Sequence, residues 1–186
     1  MDTIERAFQQ VDRLDFIPRD MSYLAAIDGP LPIGFGQTIS QPSTVRLMLE
    51  WLDVQPGDKV LDIGSGSGWS SALLAHIVGL KGKVLAVERI PALVLLGRKN
   101  CQKAGVSNVE FYHAGNDYGL SEHAPYDRIL VSAAADHLPE TLINQLKING
   151  KLVIPFKHDI LEIVRTGTNG YTSQSHHGFV FVPLIK

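Results

Sequence analysis

The chain has 186 residues, of which 45% are hydrophobic, and a formal net charge of −2. This is the length of one domain with enough apolar material for a full core, and the charge leaves no electrostatic footprint for nucleic acid or a membrane surface. No N-terminal apolar stretch indicates secretion and no apolar run approaches the ~18 residues of a membrane span, while the lone Cys101 excludes an internal disulfide and fits a reducing, cytoplasmic compartment.

In chain order, Thr3 to Val11 has the spacing of a short amphipathic helix, closed by Phe16-Ile17-Pro18-Arg19. Residues 28–42 hold three prolines and three glycines and are expected to form an ordered loop. Pro42 suits the first position of a helix, and Val45, Met48, Leu49 and Leu52 give that helix one apolar face. Strands and helices then alternate. Strand 59–63 leads to helix 69–78, strand 83–87 to helix 91–104, and strand Val109 to His113 closes the first half. Strand Arg128 to Ser132 leads to helix Pro139 to Leu146 and strand Lys151 to Ile154. Strands Ile160 to Arg165 and Phe179 to Val182 follow without a helix between them. The pattern predicts a doubly wound, Rossmann-like α/β domain over residues 1–186, mostly parallel, with an antiparallel hairpin at one edge.

The most informative stretch is Val60-Leu-Asp-Ile-Gly-Ser-Gly-Ser-Gly68, in which a strand ends in Asp62 and runs into three alternating glycines before a helix. Only glycine lets a backbone approach a ligand so closely, and open α/β sheets use this turn to admit a nucleotide. Glu88 ends the next strand twenty residues beyond Gly68, about the spacing at which a carboxylate accepts ribose hydroxyls. The dinucleotide pattern G-x-G-x-x-G/A fits poorly, because counting from Gly64 its last position is Trp69. Asp62 before the turn suits a ligand bearing an amine better than a pyrophosphate. These features favour S-adenosyl-L-methionine over NAD. Asp62, Gly64, Ser65, Gly66, Gly68, Glu88 and Arg89 form the candidate cofactor set.

Other chemistry finds little support. His76 falls in a helix, His113 ends a strand, and the remaining histidines fall in turns or loops, with no H-E-x-x-H spacing or cysteine partner for a metal. Cys101 reads as a small hydrophobe on a helix, and Asp127-Arg128 as a structural ion pair or cap at a strand entrance.

Four segments together resemble the protein-L-isoaspartate (D-aspartate) O-methyltransferase family. They are Pro30 to Pro42 (Pro-Leu-Pro-Ile-Gly-Phe-Gly-Gln-Thr-Ile-Ser-Gln-Pro), the glycine turn, Ala124-Pro-Tyr-Asp-Arg-Ile-Leu-Val-Ser-Ala-Ala134, and Phe181-Val-Pro-Leu184. The resemblance implies a SAM-dependent methyltransferase that esterifies the α-carboxylate of isoaspartyl residues in damaged proteins and releases S-adenosyl-L-homocysteine. A carboxylate with pKa near ~4 is already ionised at neutral pH, so such an enzyme needs no general base, only positioning and exclusion of water.

The resemblance also implies roles for Ser40 and, more weakly, Thr38 at the substrate carboxylate, and for the backbone of Val182 against the peptide. Ser40 has a local alternative, capping the helix that follows. Where the family places Gly-Asp-Gly after the strand ending at His113, this chain reads Ala114-Gly115-Asn116-Asp117. Either Asn116 or Asp117 reaches the adenine from a rearranged loop, or a charge-assisted contact worth roughly 1.5–3 kcal/mol is lost. The loop Phe156-Lys-His-Asp159 is shorter than the family's and lacks its glycine. The expected protein is a monomer acting on isoaspartyl peptides, with no nucleic-acid, membrane or metal partner. Competing readings are a methyltransferase for another carboxylate and a relict binding module with weak SAM affinity.

Overall fold

The computed structural model describes residues 2–168 and 170–185. The helices are α1 (Thr3–Gln10), α2 (Pro42–Leu52), α3 (Trp69–Val78), α4 (Pro91–Lys103) and α5 (Glu140–Asn144). Strands β1 (Leu31–Gly34) and β2 (Gln37–Ile39) form a small antiparallel sheet. Strands β3 (Lys59–Ile63), β4 (Lys83–Glu88), β5 (Val109–His113), β6 (Tyr126–Val131), β7 (Leu146–Phe156), β8 (Asp159–Arg165) and β9 (Tyr171–His177) form the main sheet, in the order β5-β4-β3-β6-β7-β8-β9. The first five of these are parallel, and β8 and β9 extend the sheet as an antiparallel meander.

Alternation along the central strands divides the core. Val60, Val84, Ala86, Leu130 and Val153 pack with α2, α3 and α4 on one face. Leu61, Ile63, Leu85, Val87, Ile129 and Val131 face the other way, against Leu142 and Ile143 of α5. A strand buried on both faces must be apolar at successive positions, as Val84–Val87 of β4 and Ile129–Val131 of β6 are, whereas β3 breaks its run with the buried Asp62. Among the described residues no helix is long and apolar enough to cross a membrane.

The structure corrects several expectations. The proline-rich segment 28–42 contains the β1–β2 hairpin, whose prolines are tolerated because it is a two-stranded edge pair. Its turn, Phe35-Gly36, has positive φ at both positions (55° and 70°), as the favoured two-residue hairpin turn requires. The left-handed region costs a residue with a Cβ about 1–2 kcal/mol, so Phe35 is held in strain.

The expected helix 139–146 shortens to α5, because Gln145 leaves it: its carbonyl accepts from Tyr126 N at 2.8 Å and Leu146 already pairs with Tyr126. The terminal strand is not 179–182 but β9, seven residues of mostly polar sequence. Exposure explains the miss, since an edge strand with both faces largely wet carries no apolar alternation. His176 and His177 therefore lie in a strand and not in a loop. The short Phe156–Asp159 connection closes as a two-residue turn, with Lys157 at φ 56°.

Asp127 and Arg128 are structural, with partners other than each other's side chains. The Asp127 carboxylate accepts from Lys59 N (2.9 Å) and Lys147 Nζ (2.6 Å), and Arg128 faces Asp58 and Asp53 at 3.8 and 3.9 Å. Cys101 is free and buried in α4, and burial pushes its thiol up to about 12.

Candidate active site

Strand order reverses between β3 and β6, and in open α/β sheets the crevice at the carboxyl ends of such strands is where ligands bind. A cavity lies there, lined by Gly64–Ser67 after β3, Glu88 and Arg89 at the end of β4, and Ser132 and Ala133 after β6. Its roof is the β1–β2 hairpin with Thr38 and Ser40, and the chain from Val182 to Ile185 forms a further wall. Ala134 N donates to Val182 O at 2.7 Å and Leu184 N donates to Ala134 O at 2.8 Å, which fixes that wall to the end of β6.

The glycine turn is pinned before any ligand arrives. Gly64 N and Ser65 N both donate to Val87 O, at 2.9 and 3.2 Å. Gly66 N donates to Glu88 Oε2 at 3.0 Å, while Ile90 N donates to Oε1 at 2.9 Å. Each Glu88 oxygen thus has one lone pair committed to backbone and one left over, on a carboxylate that is only 7% exposed. A Cβ on Gly66 would stand 3.1 Å from Ile33 of the hairpin. The bulge between Pro32 and Gly34 turns Ile33 onto the glycine turn, a use of bulges common beside active sites.

Three expected cofactor residues stand outside the cavity wall. Asp62 shares the β3 face of Val60 and points under α3, where Ser70 Oγ and Ser71 Oγ donate to its Oδ2 at 2.8 and 2.6 Å. It is fully buried, and burial raises its pKa to about 6, against the hydroxyl bonds that lower it. Its role is to seat the first turn of α3 behind the glycines. Gly68 serves packing, because a Cβ there would lie 3.0 Å from Gly97 Cα and from its carbonyl oxygen in α4. Asn116 is exposed and does not line the cavity, whereas Gly115 and Asp117 do.

The residues fit an adenosyl ligand. The buried Ser65 hydroxyl has no hydrogen-bond partner among the described residues and lies in the cavity wall. Backbone at positive φ (Gly64 76°, Gly66 53°) leaves the ligand side of the turn free of side chains, and Glu88 stands beyond it with spare acceptors. The helix α2 that follows Ser40 has no side-chain cap from its own N-cap residue, Gln41. Ser43 N, at the start of α2, is taken instead by Asp28 Oδ1 at 2.9 Å, which removes the capping role that competed for Ser40.

The whole chain, residues 1–186, matches the model of the Protein-L-isoaspartate(D-aspartate) O-methyltransferase family. Curated proteins named protein-L-isoaspartate O-methyltransferase are similar along nearly its full length. That of Methanothermobacter thermautotrophicus is 42% identical over 99% of this chain and 87% of its own, and that of Methanococcoides burtonii 45% identical over 96% and 90%. The chain belongs to the protein-L-isoaspartate (D-aspartate) O-methyltransferase family.

Solved members of the methyltransferase family agree in fold. One superposes with a TM-score of 0.90 at 29% identity, covering 100% of this chain and 62% of that longer one. A Plasmodium falciparum structure in complex with S-adenosyl-L-homocysteine superposes with a TM-score of 0.88 at 28% identity, covering 100% and 91%.

Within this methyltransferase the sequence left three supporting residues unnoticed. Arg13, 6% exposed, carries the segment that ends at Ser40. Gln145 Oε1 accepts from Leu120 N at 3.0 Å and its Nε2 donates to Tyr118 O at 2.9 Å, fixing the loop that lines the cavity beyond Asp117. Asp28 holds the start of α2. No sequence signal separates a buried Arg or Gln of this kind from a surface one. For Asp28 the Asp-Gly-Pro beginning of the loop was a usable turn signal.

Proposed function

We propose the following division of labour for methyl transfer to the α-carboxylate of isoaspartyl residues. When bound, S-adenosyl-L-methionine supplies a methyl group already activated on a sulfonium, and it leaves as S-adenosyl-L-homocysteine. Glu88 holds the ribose hydroxyls with the lone pairs its backbone donors leave unused. Ser65 and the backbone of Gly64 and Gly66 receive the amino-acid end, Arg89 flanks the ribose side, and Asp117 accepts from the adenine amine.

The Ser40 hydroxyl donates to one oxygen of the substrate carboxylate and leaves the other aimed at the methyl group. Thr38 and the backbone of Val182 orient the peptide on either side. No side chain takes a proton, since the carboxylate arrives ionised. The rate comes from alignment and from exclusion of water, effects that can reach ~7–11 kcal/mol in well-oriented systems.

The observation that carries this reading is that one cavity is lined by Ser40 and Thr38 on its roof and by the glycine turn and Glu88 on its floor. The buried, unpaired Cys101 supports a cytoplasmic setting. The decisive assay incubates the protein with methyl-labelled SAM and an isoaspartyl peptide beside its aspartyl twin. Base-labile label on the isoaspartyl peptide alone is expected, and equal labelling of both would overturn the specificity.

A further inference from the structure

Phe35 occupies a position that its side chain does not suit. It is the first residue of the two-residue β1–β2 turn, at φ 55°, between Gly34 at φ 92° and Gly36 at φ 70°. Asn or Gly meets this turn without strain, and Asn-Gly is the pair such turns favour. The ring gains little from the protein in return, being 62% exposed. Other large apolar side chains are exposed too, Leu80 and Leu95 among them, but those sit singly on ordinary backbone and need no explanation. A strained, exposed aromatic beside a binding site is evidence for a ligand contact.

The surroundings say which ligand. Ile33 and Gln37, two residues to either side of Phe35, both line the substrate cavity. On the further wall Ile185 lines the same cavity and is 51% exposed. Ile33 is buried against Gly66, so the exposed apolar side chains beside the cavity are Phe35 at the hairpin tip, just outside the cavity lining, and Ile185 on the C-terminal segment. A peptide whose isoaspartyl group reaches Ser40 must lay its neighbouring residues across this rim.

We infer that Phe35, with Ile185 opposite, is a specificity contact that selects isoaspartyl sites flanked by apolar residues. The inference rests on the methyl-transfer reading above and adds the substrate class to it.

The test uses two isoaspartyl hexapeptides that differ only in the residues flanking the damaged position, leucine in one and serine in the other. Kinetics are measured on the unchanged protein, on Phe35→Asn, which suits the turn and so retains the fold, and on Phe35→Leu, which keeps an apolar tip. The unchanged protein should show a KM about five- to tenfold lower for the leucine peptide, in keeping with partial burial of an aliphatic side chain. Phe35→Asn should collapse that ratio toward one with little change in kcat at saturation, and Phe35→Leu should restore most of it. An unaltered KM ratio in Phe35→Asn overturns the inference, as does the absence of any preference in the unchanged protein. A dimer that is lost in Phe35→Asn with the ratio unaltered would mark the tip as a self-association contact and overturn it as well. Failure of the unchanged protein to methylate either peptide would instead remove the methyl-transfer reading, and this inference with it.

Discussion

Arg13 Nη2 donates to the carbonyl oxygen of Ser40 at 3.1 Å, across 27 residues of chain. The same nitrogen donates to Gly29 O at 2.6 Å, and Nη1 donates to Ile27 O and Ala25 O at 2.9 and 3.3 Å. One guanidinium thus gathers four carbonyls of the segment leading into Ser40, and it rests 5.5 Å from the ring of Trp69 at the start of α3. Burial lowers its pKa, partly offset by the charge of Asp28. The planar fork couples the position of Ser40 to the helix that follows the glycine turn.

Arg13→Lys should therefore damage the site more than a retained charge suggests. A lysine ammonium is a point donor and cannot span four carbonyls. Losing two of these charge-assisted bonds is expected to cost about 3–6 kcal/mol of stability. At a temperature where the variant is fully folded, kcat should still be lowered while affinity for S-adenosyl-L-homocysteine is held, because the disturbed segment carries Ser40 and not Glu88. Denaturant melts and steady-state kinetics on the same preparation check this, and unchanged kcat in the folded variant would confine Arg13 to stability.

The candidate cofactor residues separate by their place relative to the cavity wall. Glu88→Ala removes the acceptor for Gly66 N and Ile90 N as well as for the ribose, so calorimetry should show S-adenosyl-L-homocysteine binding weakened by on the order of 1.5–3 kcal/mol, with a lowered melting temperature in the free protein. Asp117→Ala should weaken binding without lowering that melting temperature, because the residue is exposed. Asn116→Ala should leave affinity unchanged. Equal losses at Asn116 and Asp117 would mean that the loop closes differently around the adenine.

Asp62 gives a dependence on pH whose sign is opposite to the usual one for carboxylates. Its pKa is raised in the folded protein from 3.8 to about 6, chiefly by burial, so between these values the folded state binds more protons than the unfolded chain. Stability from this group is full below about pH 4 and falls as pH rises to about 6, a loss of about 3 kcal/mol. An asparagine side chain at this position resembles the protonated acid and still accepts from Ser70 and Ser71. In Asp62→Asn the stability difference from the unchanged protein should therefore grow in the variant's favour from pH 4 to pH 6 and level off above. Asp28, Asp127 and Asp159 have lowered values and titrate below that window in both proteins. A difference that stays flat across it would mean that Asp62 is charged throughout.

The strands that build the site were legible because burial on both faces forces apolar runs. The bounds of β3, α3 and β5 follow the sequence pattern to the residue, and the turn between β3 and α3 declares itself by three alternating glycines, all at positive φ. What the sequence could not supply was facing. Asp62 looked like a ligand group because it precedes the turn, yet the period of two along β3 sends it to the α3 side. Gly68 looked like part of a cradle, and only the approach of α4 reveals it as a packing residue. The β1–β2 hairpin was hidden by prolines that argue against strand interiors but not against a two-stranded edge. Arg13 and Gln145 act through backbone carbonyls and amides, which every sequence contains, so no pattern of residue types could have pointed to them.

Ser40→Ala separates substrate alignment from structural support. The first turn of α2 is held by Asp28, which accepts from Ser43 N and from Gln41 Nε2 at 2.9 and 3.0 Å. Loss of the Ser40 hydroxyl therefore leaves no helix end uncapped, and the melting temperature should stay within error, whereas Asp28→Ala should lower it. The Ser40 carbonyl that Arg13 holds is retained in the variant, so the loop keeps its course. What disappears is one hydrogen bond to a charged carboxylate, worth roughly 1.5–3 kcal/mol, and it acts where the attacking oxygen is aligned. Single-turnover methyl transfer to an isoaspartyl peptide should fall by about 10- to 100-fold, with affinity for S-adenosyl-L-homocysteine unchanged. A variant that melts lower and transfers at the original rate would return Ser40 to a structural role and remove it from the reaction.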